Sequence, residues 1–176
     1  TNDGGGYQTT GTGFVIVDHA GTTTFTGAGT FSNLDIRGGA TVQLASNINF
    51  SGVMNLRNGT LDVDTWDVTL EDDVRTVPLI NKYTTAGLFQ DVGAGGGVMA
   101  VGASVVYDVK YFEGTDVPEL EWLAAGIRNL TVGDGTNALT ITQPIAATTI
   151  TGNLTVATGA TLDLGAGDLT ASGDGA

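Results

Sequence analysis

Pairs of apolar residues two positions apart recur along this chain at a nearly fixed interval. In the first half the pairs are Leu34/Ile36, Val42/Leu44, Ile48/Phe50, Met54/Leu56, Leu61/Val63 and Val68/Leu70. An i, i+2 pair marks a short strand with one buried face. The series repeats after about 20 residues, Leu34 to Met54, Val42 to Leu61 and Ile48 to Val68. Three short strands per period is the arithmetic of a three-sided parallel β-helix, whose coils stack about 4.8 Å apart. Later in the chain Leu130/Val132, Leu139/Ile141, Leu154/Val156 and Leu162/Leu164 continue the series, with Leu130 aligned to Leu154 and Leu139/Ile141 to Leu162/Leu164. Gly38-Gly39, Asn58-Gly59 and Gly165-Ala166-Gly167 are read as corners, where positive φ is cheapest for Gly and Asn. Threonines between the apolar positions point outward, where a β-branched polar residue suits an exposed strand. The expected fold is all-β, a parallel β-helix or β-solenoid. The alternative is a β-sandwich or jelly roll, because alternation alone does not separate parallel from antiparallel pairing.

A longer similarity overlies this period. Asn33-Leu34-Asp35-Ile36 matches Asn129-Leu130-Thr131-Val132, and Gly59-Thr60-Leu61-Asp62-Val63 matches Ala160-Thr161-Leu162-Asp163-Leu164. The chain thus reads as two copies of a unit of about 100 residues, the second incomplete. Lead-in strands occupy 1–32, the first coils 33–73, an irregular insert and second lead-in 74–128, and the second set of coils 129–176. The insert carries the Gly-rich run Gly93–Gly97, a strand over Val105–Phe112, and one short helix. Asp116 near a capping position, Pro118 in the first turn, two glutamates near the positive end and Gly126 as a stop mark that helix. The insert is expected to cap or pack against the coils.

Charge narrows the partners. Lys and Arg total 6 against 19 Asp and Glu, a formal charge of −13, which repels nucleic-acid phosphates and anionic membranes. Binding to nucleic acid and insertion into a membrane are therefore not expected. Without cysteine there is no thiolate metal site, disulfide or cysteine nucleophile. The chain starts at Thr1, shows no charged-then-apolar leader and has no apolar run near 18 residues. It reads as a mature or excised piece of a longer, exported, soluble chain.

The runs Tyr107–Gly114, Gly126–Val132, Gly152-Asn153-Leu154-Thr155-Val156 and Ala160-Thr161-Leu162-Asp163-Leu164 resemble repeat regions of very large secreted surface proteins of Gram-negative bacteria. Many of those resemble substrates of the type IX secretion route, and the coil pattern is similar to that of autotransporter and haemagglutinin-type adhesins. The resemblance covers most of residues 14–173. It implies an extracellular, cell-surface, non-enzymatic segment that self-assembles into a filament, stalk or adhesive appendage. Its partners would be copies of itself or flanking repeats of the same chain. A carbohydrate-binding adhesin module that takes surface glycans is the first alternative, and a β-helix polysaccharide lyase or hydrolase the second.

Few residues invite chemistry. Asp62, Asp64 and Asp67, with Glu71, Asp72 and Asp73, concentrate carboxylates. Asp62, Asp64 and Asp67 are the candidate calcium ligands, with Asp62 and Asp64 read as sharing one strand face; the plainer reading is a solvated face and turn that blunts edge pairing. No other cofactor and no catalytic residue is expected, since G-x-S-x-G and H-E-x-x-H are absent. His19, the one histidine, reads as a turn residue before Ala20-Gly21. Gly93–Gly97 lacks the Lys-Ser/Thr of a phosphate loop. Asn58-Gly-Thr, Asn129-Leu-Thr and Asn153-Leu-Thr match a glycosylation acceptor but read as the starts of strands. Thr22-Thr23-Thr24 and Thr148-Thr149 hint at an ice-binding face, but the threonines are read as drifting between coils. Trp66, Trp122, Tyr83, Tyr107 and Tyr111 are the candidates for a sugar-stacking platform, against a reading in which Trp122 and Tyr107 pack the insert.

Overall fold

The computed structural model describes residues 13–71, 77–84, 87–90, 92, 95–116, 120–123, 125–143 and 147–173. The chain winds into a parallel β-solenoid of seven three-sided coils, with strands numbered in chain order. The first side holds β1 (Val15–Asp18), the later parts of β3 (Thr30–Arg37) and β5 (Ile48–Leu56), then β8 (Leu79–Lys82), β11 (Tyr107–Tyr111), β13 (Ile127–Val132) and β16 (Leu154–Val156). The second side holds β2 (Gly21–Phe25), β4 (Ala40–Leu44), β6 (Thr60–Asp62) and β9 (Leu88–Gln90) in one sheet. A separate sheet continues that side with β12 (Gly114–Asp116), β14 (Leu139–Thr142) and β17 (Ala160–Asp163). The third side uses the starts of β3 and β5, then β7 (Val68–Leu70) and β10 (Met99–Val101), and further on β15 (Thr148–Ile150) with β18 (Leu169–Ala171). In the fifth coil the short helix α1 (Leu120–Leu123) takes the place of a third-side strand.

Every strand pair among the described residues is parallel, as stacked coils require and as hairpins of a sandwich would not allow. Two inward columns run the whole length of the first side. One is Val15, Leu34, Met54, Ile80, Val109, Leu130 and Leu154; the other is Val17, Ile36, Leu56, Lys82, Tyr111, Val132 and Val156. The register predicted from sequence, Leu34 with Met54, Val42 with Leu61 and Ile48 with Val68, is the observed one. Each inward aliphatic side chain lies over its neighbour of the adjacent coil. This removes apolar surface from water at roughly 25 cal/mol per Å².

Three expectations are corrected. The described parts of 74–128 do not stand outside the coils. β8 pairs with β5 and β11, β9 with β6, and β10 with β7, so this stretch supplies two rungs of the ladder. Its corners are longer, which hides the period: Asn55 meets Asn81 across 26 residues and Asp67 meets Val98 across 31. Later, Ile141 rather than Leu139 pairs with Leu162, a slip of two that leaves the buried face unchanged because strand side chains alternate with period two. Leu164 lies beyond β17 and is exposed. Finally, Gly38, Gly39 and Gly165 do have positive φ, but Gly59 does not; it is there because a Cβ would lie 2.6 Å from Ile36 Cγ2 and 2.8 Å from the Ala40 carbonyl oxygen. The helix is where the sequence placed it and is a single turn ending before Gly126, whose φ is +109°.

Candidate functional site

The acidic run is built into a corner. β6 ends at Asp62, and Asp64 already has φ +51°, so the two carboxylates do not share a strand face. Asp62 is buried, and its Oδ1 accepts the backbone N–H groups of Asp64 and Val92, both at 3.1 Å. The Asp64 carbonyl accepts from Gly97 N–H, and Asp67 Oδ1 accepts from Val98 N–H. Gly95 and Gly97 pack so closely on Asp64, Thr65 and Trp66 that neither position has room for a Cβ. Asp62 and Asp67 thus act as backbone acceptors that tie the third coil to the fourth. Among the described residues no three His, Cys, Asp or Glu side chains converge as a metal would need. Asp72, Asp73, Gly93 and Ala94 lie outside the described residues, as do Pro118 and Glu119.

His19 is exposed in the turn between β1 and β2, with Nε2 2.6 Å from Thr23 Oγ1. The threonines align better than the sequence suggested. Thr22, Thr41 and Thr60 share one register column of the second side, and Thr115, Thr140 and Thr161 another. The neighbouring column reads Thr24, Gln43, Asp62 and Gln90. A flat two-column threonine array is therefore not formed there. Asparagines instead bridge coils: Asn33 Oδ1 accepts from Val53 N–H, Asn47 Oδ1 from Asp67 N–H, and Asn129 Oδ1 from Asn153 N–H, at 2.9 to 3.1 Å. This role explains the sequence match between the segments starting at Asn33 and Asn129.

The proposed aromatic platform is not assembled. Tyr107, Tyr111 and Trp122 are core residues. Tyr83 is stacked on Phe112 at 4.2 Å, with the Arg57 guanidinium over Tyr83 and the Lys110 ammonium over Phe112. Trp66 is 37 % exposed and stands at the distant acidic corner.

The least ordinary chemistry lies inside the solenoid. Lys82 occupies an inward position between Leu56 and Tyr111, and its side chain is only 1 % exposed. Glu121 projects from α1, 0 % exposed, and its Oε1 lies 3.2 Å from Lys82 Nζ. Tyr111 donates its hydroxyl to the same Oε1 at 2.9 Å, and Tyr107 donates to the Glu121 carbonyl at 3.0 Å. Burial first, and then the Glu121 charge, raises the Tyr107 pKa well above its ordinary value, so this hydroxyl stays a donor. Trp122 Nε1–H, on the next residue, reaches Thr148 Oγ1 of the sixth coil. Removing two charges from water costs several kcal/mol each before their attraction is counted. Sequence reading overlooked this centre, although Lys82 stands two residues after the inward Ile80 and the alternation put it inside. Glu121 is one of the two glutamates read as complementing the positive helix end, and nothing local marks it as buried.

Exposed large apolar residues gather in three places. Phe14 and Ile16 flank the first coil, Val156 and Leu164 the last, and Trp66, Val92 and Val98 the acidic corner. In the last coil β16, β17 and β18 each pair on one side only, and their inward residues Leu154, Leu162 and Leu169 are only partly buried. No helix among the described residues is long and apolar enough to cross a membrane. Comparison with family models, curated proteins and solved structures finds no match.

Proposed function

We propose that this chain is a structural, non-enzymatic coil segment of a large extracellular assembly of the bacterial surface. In this reading its working surfaces are the open strand edges at the ends of the solenoid. One observation carries the reading: the seventh coil shows its inward residues Leu154, Leu162 and Leu169 half-covered, beside the 45 % exposed Val156. Parallel strands with unpaired edges and a half-covered apolar row are completed by another coil, which further repeats of the same polypeptide or a second copy can supply. Apart from Asp163, β16–β18 hold small, apolar and Thr residues, and they contain no Lys or Pro to block such pairing. The contact would consist of backbone pairing and aliphatic packing and would resist salt, which screens exposed charges. The outer faces support the same reading, because two of their arginines are engaged by carboxylates of neighbouring coils. Arg57 pairs with Asp35, and Arg128 donates from Nε and Nη2 to Asp108.

Light scattering of the chain, extended by its native flanking sequence, tests this. Particles that grow with protein concentration and persist from low to high salt are expected. A strict monomer at high concentration would sink the assembly reading. Turnover in a panel of acidic and neutral polysaccharides, lost in Asp62→Asn or Asp64→Asn, would replace it with an enzymatic one.

A further inference from the structure

The buried centre of Lys82 and Glu121 has the makings of a covalent link, independently of how the ends of the solenoid are used. An amine and a carboxyl group are held 3.2 Å apart, both side chains shut away from water. Salt bridges elsewhere on this protein keep at least one partner open to solvent, as in Arg37 with Asp18 and Arg57 with the buried Asp35. This pair is set instead in an apolar column whose other members are Val, Ile, Leu and Tyr. Replacing a buried ion pair with apolar residues is often neutral or stabilising, so stability alone is a weak reason for a lysine here. Glu121 Oε2 is buried and has no hydrogen-bond partner among the described residues, while Oε1 is held by the Tyr111 hydroxyl. A carboxyl with one oxygen polarised and the other unheld, facing an amine, is arranged as an electrophile toward a nucleophile.

We propose that Lys82 and Glu121 condense to an isopeptide bond across the interior of the solenoid. The ammonium first passes one proton to Glu121 Oε1, the oxygen 3.2 Å from Nζ, giving a neutral amine and a neutral acid. The Nζ lone pair then attacks the carboxyl carbon, and negative charge develops on Oε2. A second proton moves from Nζ to the Oε1 hydroxyl, which the Tyr111 O–H holds and helps to leave. The carbon–oxygen bond breaks, Oε1 leaves as water and an Nζ–Cδ amide remains. Nothing is oxidised or reduced and no co-reactant is needed. Fixing both groups in one cavity supplies an effective molarity on the order of 10⁵ M or more, and exclusion of water opposes the reverse hydrolysis. Tyr107, bonded to the Glu121 carbonyl, holds the backbone that presents the carboxyl. The product joins the first side of the fourth coil to the helix that closes the third side of the fifth.

Intact mass of the purified full chain, denatured after prolonged incubation in the folded state, reads the reaction directly. The expected mass is that of the sequence less one water, with a branched proteolytic peptide that contains both Lys82 and Glu121. Lys82→Arg, which keeps the charge but not the amine nucleophile, and Glu121→Ala should each restore the full sequence mass. Tyr111→Phe should slow the loss of water without changing the linked pair. A wild-type mass equal to that of the sequence overturns the proposal, whether or not any variant folds. So does a loss of water that persists in Lys82→Arg or Glu121→Ala.

Discussion

The first three coils and the four that follow solve the same problem in different ways. From Val15 to Leu70 the coils are nearly equal: Asn33 reaches Val53 across 20 residues, and Gln43 reaches Asp62 across 19. Corners are short, and the inward positions are apolar apart from Thr23, which shares its column with Val42 and Leu61. From Leu79 onward the step widens to as much as 31 residues, a helix replaces one strand, and a lysine and a glutamate enter the core. Yet the two inward columns of the first side cross the boundary without a break. The lesson is that the stacked strands set the fold, while the corners absorb extra residues at small cost, because loop-closure entropy grows only slowly with length.

The contrast can be broken most forcefully at Leu61, which is 0 % exposed in the regular coils. Leu61→Asp leaves an unpaired charge in the core and should cost about 3–5 kcal/mol, read as a lowered urea midpoint. Leu162→Asp, at the matching position of the half-covered last coil, should cost about 1 kcal/mol. Equal losses would mean that the last coil is as fully covered as the third. An unchanged midpoint in Leu61→Asp would mean that the inward face of the second side is misassigned.

A smaller effect separates the regions by their asparagine bridges. Asn33→Ala removes the acceptor of Val53 N–H in a part-buried setting, and a loss of about 1 kcal/mol is expected. Asn129→Ala removes the acceptor of Asn153 N–H at an exposed position, where water can replace it, and should cost less. Unfolding curves in which Asn129→Ala is the more damaging would reverse this order. The smallest effect concerns the widened corner after β13. Backbone N–H groups of Asn137 and Thr136 donate to Asp134 and hold its pKa below the ordinary aspartate value. A group with a lowered folded pKa stabilises above its unfolded pKa, and that contribution fades as pH falls through the lower folded value. Carboxyl titration by NMR should therefore give Asp134 a lower midpoint than an ordinary aspartate, and an ordinary midpoint would show that the corner does not hold it.

Much of this was legible in residues whose meaning is local. Leu34, Val42 and Ile48 announced their partners one coil away, because a period-two pattern repeated at equal steps leaves one register that buries every apolar side chain. The shared Asn-Leu of 33–34 and 129–130 pointed to one structural role, and the short helix was marked by Gly126. Where the steps became unequal, as from Met54 to Ile80, the period vanished from the sequence although the stacking did not. The carboxylates of Asp62 and Asp64 looked equivalent for the same reason: in an unbroken strand they would be, and the left-handed turn at Asp64 that separates them depends on Gly95 and Gly97 of the following coil.

The amino-acid sequence by itself therefore determined the all-β class, the inward face and the register of the equal coils, since these follow from alternation and repeat length, whereas the parallel pairing that excludes a sandwich was decided by the tertiary structure. Only the tertiary structure decided that the described parts of 77–116 belong to the ladder, that Lys82 meets Glu121, and that Tyr107, Tyr111 and Trp122 are interior. Those outcomes depend on which distant segments share a coil. That assignment is made by the total burial of the stacked rows, which no single stretch of sequence contains.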